Sequence, residues 1–325
     1  MAAAEQIKTL IRAFGEGDEA RFYATAMQIA ATEAKSGHQN LADELKLLID
    51  KAKLRGAKSN VIRHLPVNAA QKELNDLLEL TNPHEKLKEM VLQAKLLKQL
   101  KRILDEHKHV ELLRQNNLSP RKKLLFIGPP GCGKSMSARA IAGELGLPLF
   151  IIRLDGLISR YMGESISKLR LIFESMYQFR AVYFFDEFDS IGTTRQEKND
   201  VGEIKRVLNT FLMQIEKDNS NSLIIAATNY PESLDLALFR RFDDIIEYPL
   251  PNSKELKSIY SKELSNFKLA SNFNYEKITK ESIGLSYADV HRICEDLLKE
   301  FLVYGSKEFT DLKLIEYAKQ RKKPF

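Results

Sequence analysis

Residues 128–135 read Gly128-Pro129-Pro130-Gly131-Cys132-Gly133-Lys134-Ser135 and satisfy the pattern GxxxxGK[ST] at every fixed position. That pattern has a specific chemistry. Its glycines let successive backbone N–H groups turn inward around a di- or triphosphate, and the following helix aims its positive end at the same anion. Lys134 is placed to reach β- and γ-phosphates, and the Ser135 hydroxyl to complete a Mg²⁺ shell. The flanks agree: Lys123-Leu124-Leu125-Phe126-Ile127 is a short apolar run of strand type, and Met136–Leu145 reads as a helix. The stretch predicts a strand, a phosphate loop and a helix, with residues Gly128 to Met136 around a nucleoside triphosphate.

Working outward, apolar strand-like runs alternate with helical patterns from about residue 70 to 250. Candidate strands are Leu124–Ile127, Leu149–Leu154, Ala181–Phe185, Leu223–Ala227 and Asp244–Tyr248. Such alternation predicts an α/β fold, a parallel five-stranded sheet sandwiched by helices with ligands at its carboxyl edge. Val182-Tyr183-Phe184-Phe185 is a buried strand that delivers Asp186 and Glu187 at its end. Asp186 is the candidate Mg²⁺ carboxylate and Glu187 the candidate base for an attacking water. Ala226-Ala227-Thr228-Asn229 brings an amide to another strand end, where Asn229 can hydrogen-bond a γ-phosphate and that water. Leu238-Phe239-Arg240-Arg241-Phe242-Asp243 carries adjacent arginines that, in an oligomer, can reach a neighbour's γ-phosphate.

The rest of the chain sets bounds. Its 325 residues suggest two or three structural units, and no apolar stretch approaches the roughly 20 residues of a bilayer span. No basic and apolar leader opens the sequence, and Cys132 and Cys294 read as unpaired packing residues, so a soluble cytoplasmic protein is expected. Charge is uneven: residues 86–123 hold 11 Lys/Arg against 4 Asp/Glu, within a net charge of +6. No aromatic residue interleaves that segment, so it reads as a solvated helical face rather than a nucleic-acid platform. Helical periods over residues 4–56 (Ile7, Leu10, Ile11, Phe14; Ala20, Tyr23, Met27, Ala30; Leu41, Leu45, Leu48, Ala52) predict an N-terminal bundle spanning 1–58. A linker at 59–80, a large α/β domain at 81–250 and a helical lid at 251–325 complete the division.

Taken in order and spacing, these motifs resemble the AAA+ ATPases over roughly residues 80–300. Gly128–Ser135 is similar to Walker A, Phe184–Glu187 to Walker B, Asn229 to the sensor-1 residue, and Arg240 and Arg241 to the arginine-finger pair. The two arginines stand side by side here, which leaves open which one reaches the neighbour. Gly284-Leu285-Ser286-Tyr287-Ala288-Asp289-Val290 resembles the lid motif GxSGAD, with Tyr287 in place of a glycine and Gly284 and Ala288 on the nucleotide. Arg292 is a weak counterpart of the sensor-2 arginine. Arg160-Tyr161-Met162-Gly163-Glu164-Ser165 resembles the aromatic pore loop of hexameric unfoldases, so Tyr161, Met162 and Gly163 would grip a client, with Thr193–Glu203 as a second pore loop. The resemblance implies ATP/ADP and Mg²⁺ as cofactors, ATP hydrolysis in a homo-oligomeric ring of six, and a protein client. The whole chain also resembles bacterial stand-alone AAA ATPases encoded beside subtilisin-like proteases, which implies such a protease as a partner. Two other readings stay open, an ATP-loaded switch that sequesters a partner and a nucleic-acid remodeller.

Overall fold

A computed structural model of the chain describes residues 8–9, 19–35, 37–38, 41–49, 77–157, 164–189, 201–265, 267, 269, 273–304 and 310–322. They belong to two compact units, Met1–Asn68 and Ala69–Phe325. In the first unit, helix α1 (Glu19–Lys35) buries Ala30, at the end of one predicted period. A second helix, α2 (41–49), buries Ala42 and Ile49 while Leu41 and Leu48 stay exposed. Most of the Ile7–Phe14 period, and Ala52, lie outside the described residues.

The second unit is built on a six-stranded sheet in the order β1-β3-β4-β5-β2-β6. The strands are β1 (Leu78–Thr81), β2 (Lys123–Ile127), β3 (Leu149–Ile152), β4 (Val182–Phe185), β5 (Leu223–Thr228) and β6 (Asp244–Glu247). Five were predicted; the sixth corrects that count. β1 is the edge strand, antiparallel to β3, and it lies in the stretch read as a linker. Asp76-Leu77-Leu78-Glu79-Leu80 suits a helical turn as well as a strand, so only the pairing of Leu78 with Ile152 through Thr81 with Leu149 decides. The remaining neighbours are parallel.

Strand periodicity sorts the core onto two faces. Leu124, Phe126, Val182, Phe184, Leu223 and Ile225 pack on one side with α3 (Ala94–Lys108) and α4 (Lys134–Leu145). Leu125, Tyr183, Phe185, Ile224 and Ala226 pack on the other with α5 (Glu164–Gln178) and α6 (Val201–Lys217). Cover on both faces is why these strands are unbroken apolar runs; every residue of β5 is buried. Within the second face, Phe173, Phe185, Phe188 and Phe211 form an aromatic knot, with Phe188 and Phe211 centroids 4.7 Å apart. Each such ring contributes on the order of 2–3 kcal/mol by burial, and Phe188 thereby pins the turn that follows β4.

Pro249-Leu250-Pro251 stops the strand pattern, because proline cannot donate to a sheet ladder. Among the described residues, four helices follow: α7 (Ser253–Glu263), α8 (Tyr275–Ser282), α9 (Tyr287–Tyr304) and α10 (Asp311–Lys322). Asn252 starts α7 by accepting from Lys254 N–H at 2.8 Å, while the Glu255 carboxylate accepts Asn252 N–H at 3.1 Å. These helices share a core of Leu256, Tyr260, Ile278, Val290, Ile293 and Leu314. No helix among the described residues is long and apolar enough to cross a membrane.

Candidate functional site

Strands β4, β5 and β2 are adjacent and parallel, so their carboxyl ends set Asp186-Glu187, Asn229 and the loop 128–133 side by side. Asp186, Glu187, Asn229 and loop residues 130–133 line one cavity of about 570 Å³. Pro130–Met136, Asp186, Glu187, Asn229 and Ala288 all contribute to its wall. A hollow of about 730 Å³ along α3, lined by Leu97, Lys98 and Arg102 among others, contains none of them. We take the smaller cavity as the site because the convergent polar groups are there.

The loop is shaped by what it touches. Gly133, at φ +92, is the N-cap of α4, and no side chain caps that helix, leaving its first N–H groups open toward the cavity. Gly131, at φ +74, accepts Ala288 N–H at 3.1 Å. A Cβ there would lie 2.5 Å from Ser286 Oγ, so the start of α9 rests directly on the loop. That start is itself fastened: the Asp289 carboxylate accepts Ser286 N–H at 3.1 Å and Ser286 Oγ–H at 2.7 Å.

Lys134 points back into its own loop. Its ammonium donates to Gly128 O (2.7 Å), Pro129 O (2.9 Å) and Asn229 Oδ1 (2.8 Å). Burial lowers its pKa, and the negative charges of Asp186 and Asp189 oppose that shift. Burial raises the pKa of the Cys132 thiol, which is therefore a neutral packing group. The Ser135 hydroxyl donates to Asp186 Oδ2 at 2.8 Å. A hydroxyl beside a carboxylate suits a hard cation that takes its other ligands from phosphate and water. Among the described residues, no group of three His, Cys, Asp or Glu could hold a metal unaided. The donor set therefore fits Mg²⁺ brought with a nucleotide.

Glu187 is exposed and takes φ +49, a left-handed backbone unusual for a residue with a Cβ. That conformation costs on the order of 1–2 kcal/mol. Its neighbours hold it there. Asp186 Oδ1 accepts Glu187 N–H at 3.0 Å, and Phe188 N–H donates to Ala227 O at 2.8 Å while its ring sits in the aromatic knot. Asp189, which sequence reading did not single out, ties this turn to β5. Its Oδ1 accepts Thr228 Oγ1–H at 2.9 Å and Asn229 N–H at 3.2 Å. A third acid three residues after Asp186 was the signal available.

Other predicted residues stand apart from the cavity. Gly128 and Pro129 act through their carbonyls behind Lys134. Gly284, at φ +93 with nothing within 4 Å of a built Cβ, lies just past the end of α8. Arg240 is exposed, and among the described residues no hydrogen bond or ion pair of its side chain is found. Arg241 pairs with Glu216 at 3.3 Å and donates to Ala237 O at 3.4 Å. Arg292 is exposed and outside the lining. Tyr161, Met162 and Gly163 lie outside the described residues, as do 193–200 of the second predicted pore loop. Sequence reading missed Met90, Val91, Leu92, Ile259, Lys262, Glu263 and His291, which wall the cavity from segments without a motif.

Residues 124–250 match the model of the AAA family, described as ATPases associated with various cellular activities. A protein of Sinorhizobium fredii named as an uncharacterized AAA family ATPase, y4kL, is 32% identical over 308 residues, 95% of this chain and 92% of that one. Protein SAV of Sulfolobus acidocaldarius is 31% identical over 248 residues, 75% of this chain but 30% of that protein.

Proposed function

The chain belongs to the AAA family of ATPases, and from that premise we propose that it hydrolyses ATP in this cavity and works as a ring that remodels protein clients. The observation that carries the reading is the meeting of Lys134, Ser135, Asp186, Glu187 and Asn229, from three adjacent strand ends, on one cavity. Lys134 exchanges its present partners for phosphate oxygens. Ser135 and Asp186 would hold Mg²⁺, which would neutralise phosphate charge during the transfer. Glu187 accepts the proton of the water that attacks the γ-phosphorus, and Asn229 orients that water. The C-terminal helices act as a lid over the nucleotide.

Within a ring, Arg240 is the better finger for a neighbour's γ-phosphate, because Arg241 is engaged by Glu216 and Ala237 of its own chain. Tyr161 and Met162 grip an extended polypeptide, their large side chains adapting to varied sequence. Nucleic acid is a poorer client. Arg102 and Arg121 pair with Glu106, Arg121 also with Asp244, and Lys122 with Asp218, so part of the basic segment is neutralised in cis.

The test is steady-state ATP hydrolysis against protein concentration for the wild type, Lys134→Ala, Arg240→Ala and mixtures of the two variants. Specific activity is expected to climb with concentration, each variant to be inactive alone, and mixtures to recover part of the rate. Mixtures inactive at every ratio would refute the shared site. Unfolded polypeptide should raise the rate, and Tyr161→Ala should abolish that rise. Negligible turnover with ATP-dependent capture of a partner such as a subtilisin-like protease would identify a switch; stimulation by DNA or RNA would identify a nucleic-acid remodeller.

A further inference from the structure

Between α3 and the short helix Val110–Gln115 lies a hollow of about 730 Å³ that the nucleotide site does not use. Its apolar floor is Ala94, Leu97 and Leu113. Leu112 and Leu118 are exposed as well, and Leu118 N–H donates to Leu113 O at 2.9 Å. The border is cationic. Ala94, Lys98, Lys101, Asp105 and Lys108 recur at intervals of three or four and share one stripe of α3. Lys98 and Lys101 line the hollow, and among the described residues neither side chain has a hydrogen bond or ion pair. A third cation, Arg102, pairs with Glu106 at 3.3 Å, and Glu106 also holds Arg121 at 2.8 Å. Asp105 is the remaining carboxylate of the lining, so two unpaired lysines face one acid once the internal pairs are formed.

We propose that this hollow is the docking site for an acidic amphipathic helix of a partner protein. The helix lies along α3, with its apolar stripe on Ala94, Leu97 and Leu113 and its carboxylates on Lys98 and Lys101. From Ala94 to His109 the lining follows the axis of α3 for about 22 Å, the length of a helix of about 15 residues. A groove between helices takes another helix through side chains at i, i+3, i+4 and i+7. Both halves of the surface are then used: the floor leaves water, and the lysines set orientation and the rate of encounter. A nucleic-acid backbone would use the lysines alone, and no aromatic residue in the segment offers a base a ring to stack on. The same docking accounts for the uneven charge of residues 86–123, since neither Lys98 nor Lys101 lines the nucleotide cavity.

The experiment is fluorescence anisotropy of the full chain with three labelled helical peptides of about 18 residues. The first has leucines at i, i+3, i+4 and i+7 with glutamates on either side; the second has lysines for the glutamates, and the third serines for the leucines. The wild type is expected to bind the first at least about tenfold more tightly than the others. The double variant Lys98→Glu, Lys101→Glu should bind the first about tenfold more weakly than the wild type and the second more tightly. Leu113→Gln should weaken the first peptide without exchanging the charge preference. Leu113 is half-buried, so that variant can lose stability; the two lysines are exposed, and their variant then decides. The proposal is overturned if the first peptide does not bind, or if the charge-reversed variant binds it as the wild type does. Equal binding of the serine peptide also overturns it, reducing the surface to a charge patch. Duplex DNA, RNA or phosphatidylserine vesicles that displace the first peptide and need the same lysines would overturn it too, assigning the face to nucleic acid or membrane.

Discussion

Gly131→Ala tests whether the start of α9 really rests on the phosphate loop. Two costs follow from the geometry. The residue sits at φ +74, and a side chain in that left-handed region costs on the order of 1–2 kcal/mol. The new methyl would also lie 2.5 Å from Ser286 Oγ and 3.0 Å from Ala288 Cβ, an overpacking of about 1–3 kcal/mol that is relieved only by pushing α9 away. Together they give roughly 3 kcal/mol. At about 2–4 °C per kcal/mol for a domain of roughly 250 residues, the melting temperature should fall by about 6–12 °C. Gly284→Ala is the matched control: φ is +93, but nothing lies within 4 Å of the added carbon, so only the backbone cost applies and the fall should be about half as large. The assay is thermal unfolding by circular dichroism, repeated with ATP present. Ser286→Ala removes the closest clashing atom and should partly rescue Gly131→Ala in a double-mutant cycle, with a coupling of about 0.5–3 kcal/mol. If Gly131→Ala and Gly284→Ala lose the same stability and Ser286→Ala rescues neither, the contact between α9 and the loop is wrong.

Three further outcomes can be checked. Glu187→Gln keeps the shape of the side chain but removes the base, so hydrolysis should fall about 10²–10⁴-fold with ATP affinity intact; normal turnover would show that Glu187 is not the base. Asp189→Ala strips the acceptor from Thr228 Oγ1–H and Asn229 N–H, a loss of about 1–3 kcal/mol, and should lower kcat more than it raises KM; Asp189→Asn, which keeps a carbonyl oxygen, should recover part of both, and an unchanged kcat in Asp189→Ala would rule out a positioning role. His107 donates Nε2–H to Arg121 O at 2.7 Å, and chiefly burial holds its pKa below the ordinary 6.5. The unfolded chain therefore takes the proton first, so this contribution to stability is complete above about pH 6.5 and is lost as pH falls toward the lower folded value. Melting temperatures from about pH 8 to 5 should flatten in that window for His107→Gln, and an identical slope would refute the assignment.

The large elements were legible where one physical rule governed a stretch. Five parallel strands were readable because burial on both faces forces unbroken apolar runs such as Leu223–Ala227, and the loop because its glycines and Lys134 admit few other uses. β1 was not readable, because Leu78–Thr81 is an edge strand of four residues whose pattern suits a helix equally until β3 is beside it. Asp189 escaped for a related reason: its two bonds reach β5, a strand far along the chain, and no local pattern encodes a distant partner. The apolar wall of the cavity is assembled from Met90–Leu92, Ile259 and Tyr287, three separate segments, so no single window of sequence displays it. Between Arg240 and Arg241 the sequence offers no distinction at all; among the described residues only Arg241 carries an ion pair, with Glu216.

An ammonium has three N–H donors, and Lys134 engages all three, on Gly128 O, Pro129 O and Asn229 Oδ1. A nucleotide reaching this loop does not meet a bare cation but exchanges partners one for one. Affinity then depends on the difference between bonds from the ammonium to neutral oxygens and bonds from it to anionic phosphate, in which both partners carry charge. The exchange also has a consequence for Asn229. Its Oδ1 is released only when Lys134 turns to phosphate, and its backbone is held meanwhile by Asp189. On the proposed roles, the side chain that would orient the attacking water is thus occupied until the lysine has found its phosphate. The same contacts that hold the loop in shape are those that binding must break, so variants at Asn229 should alter nucleotide affinity as well as turnover. A turnover effect with affinity unchanged would show that the lysine's partner is incidental.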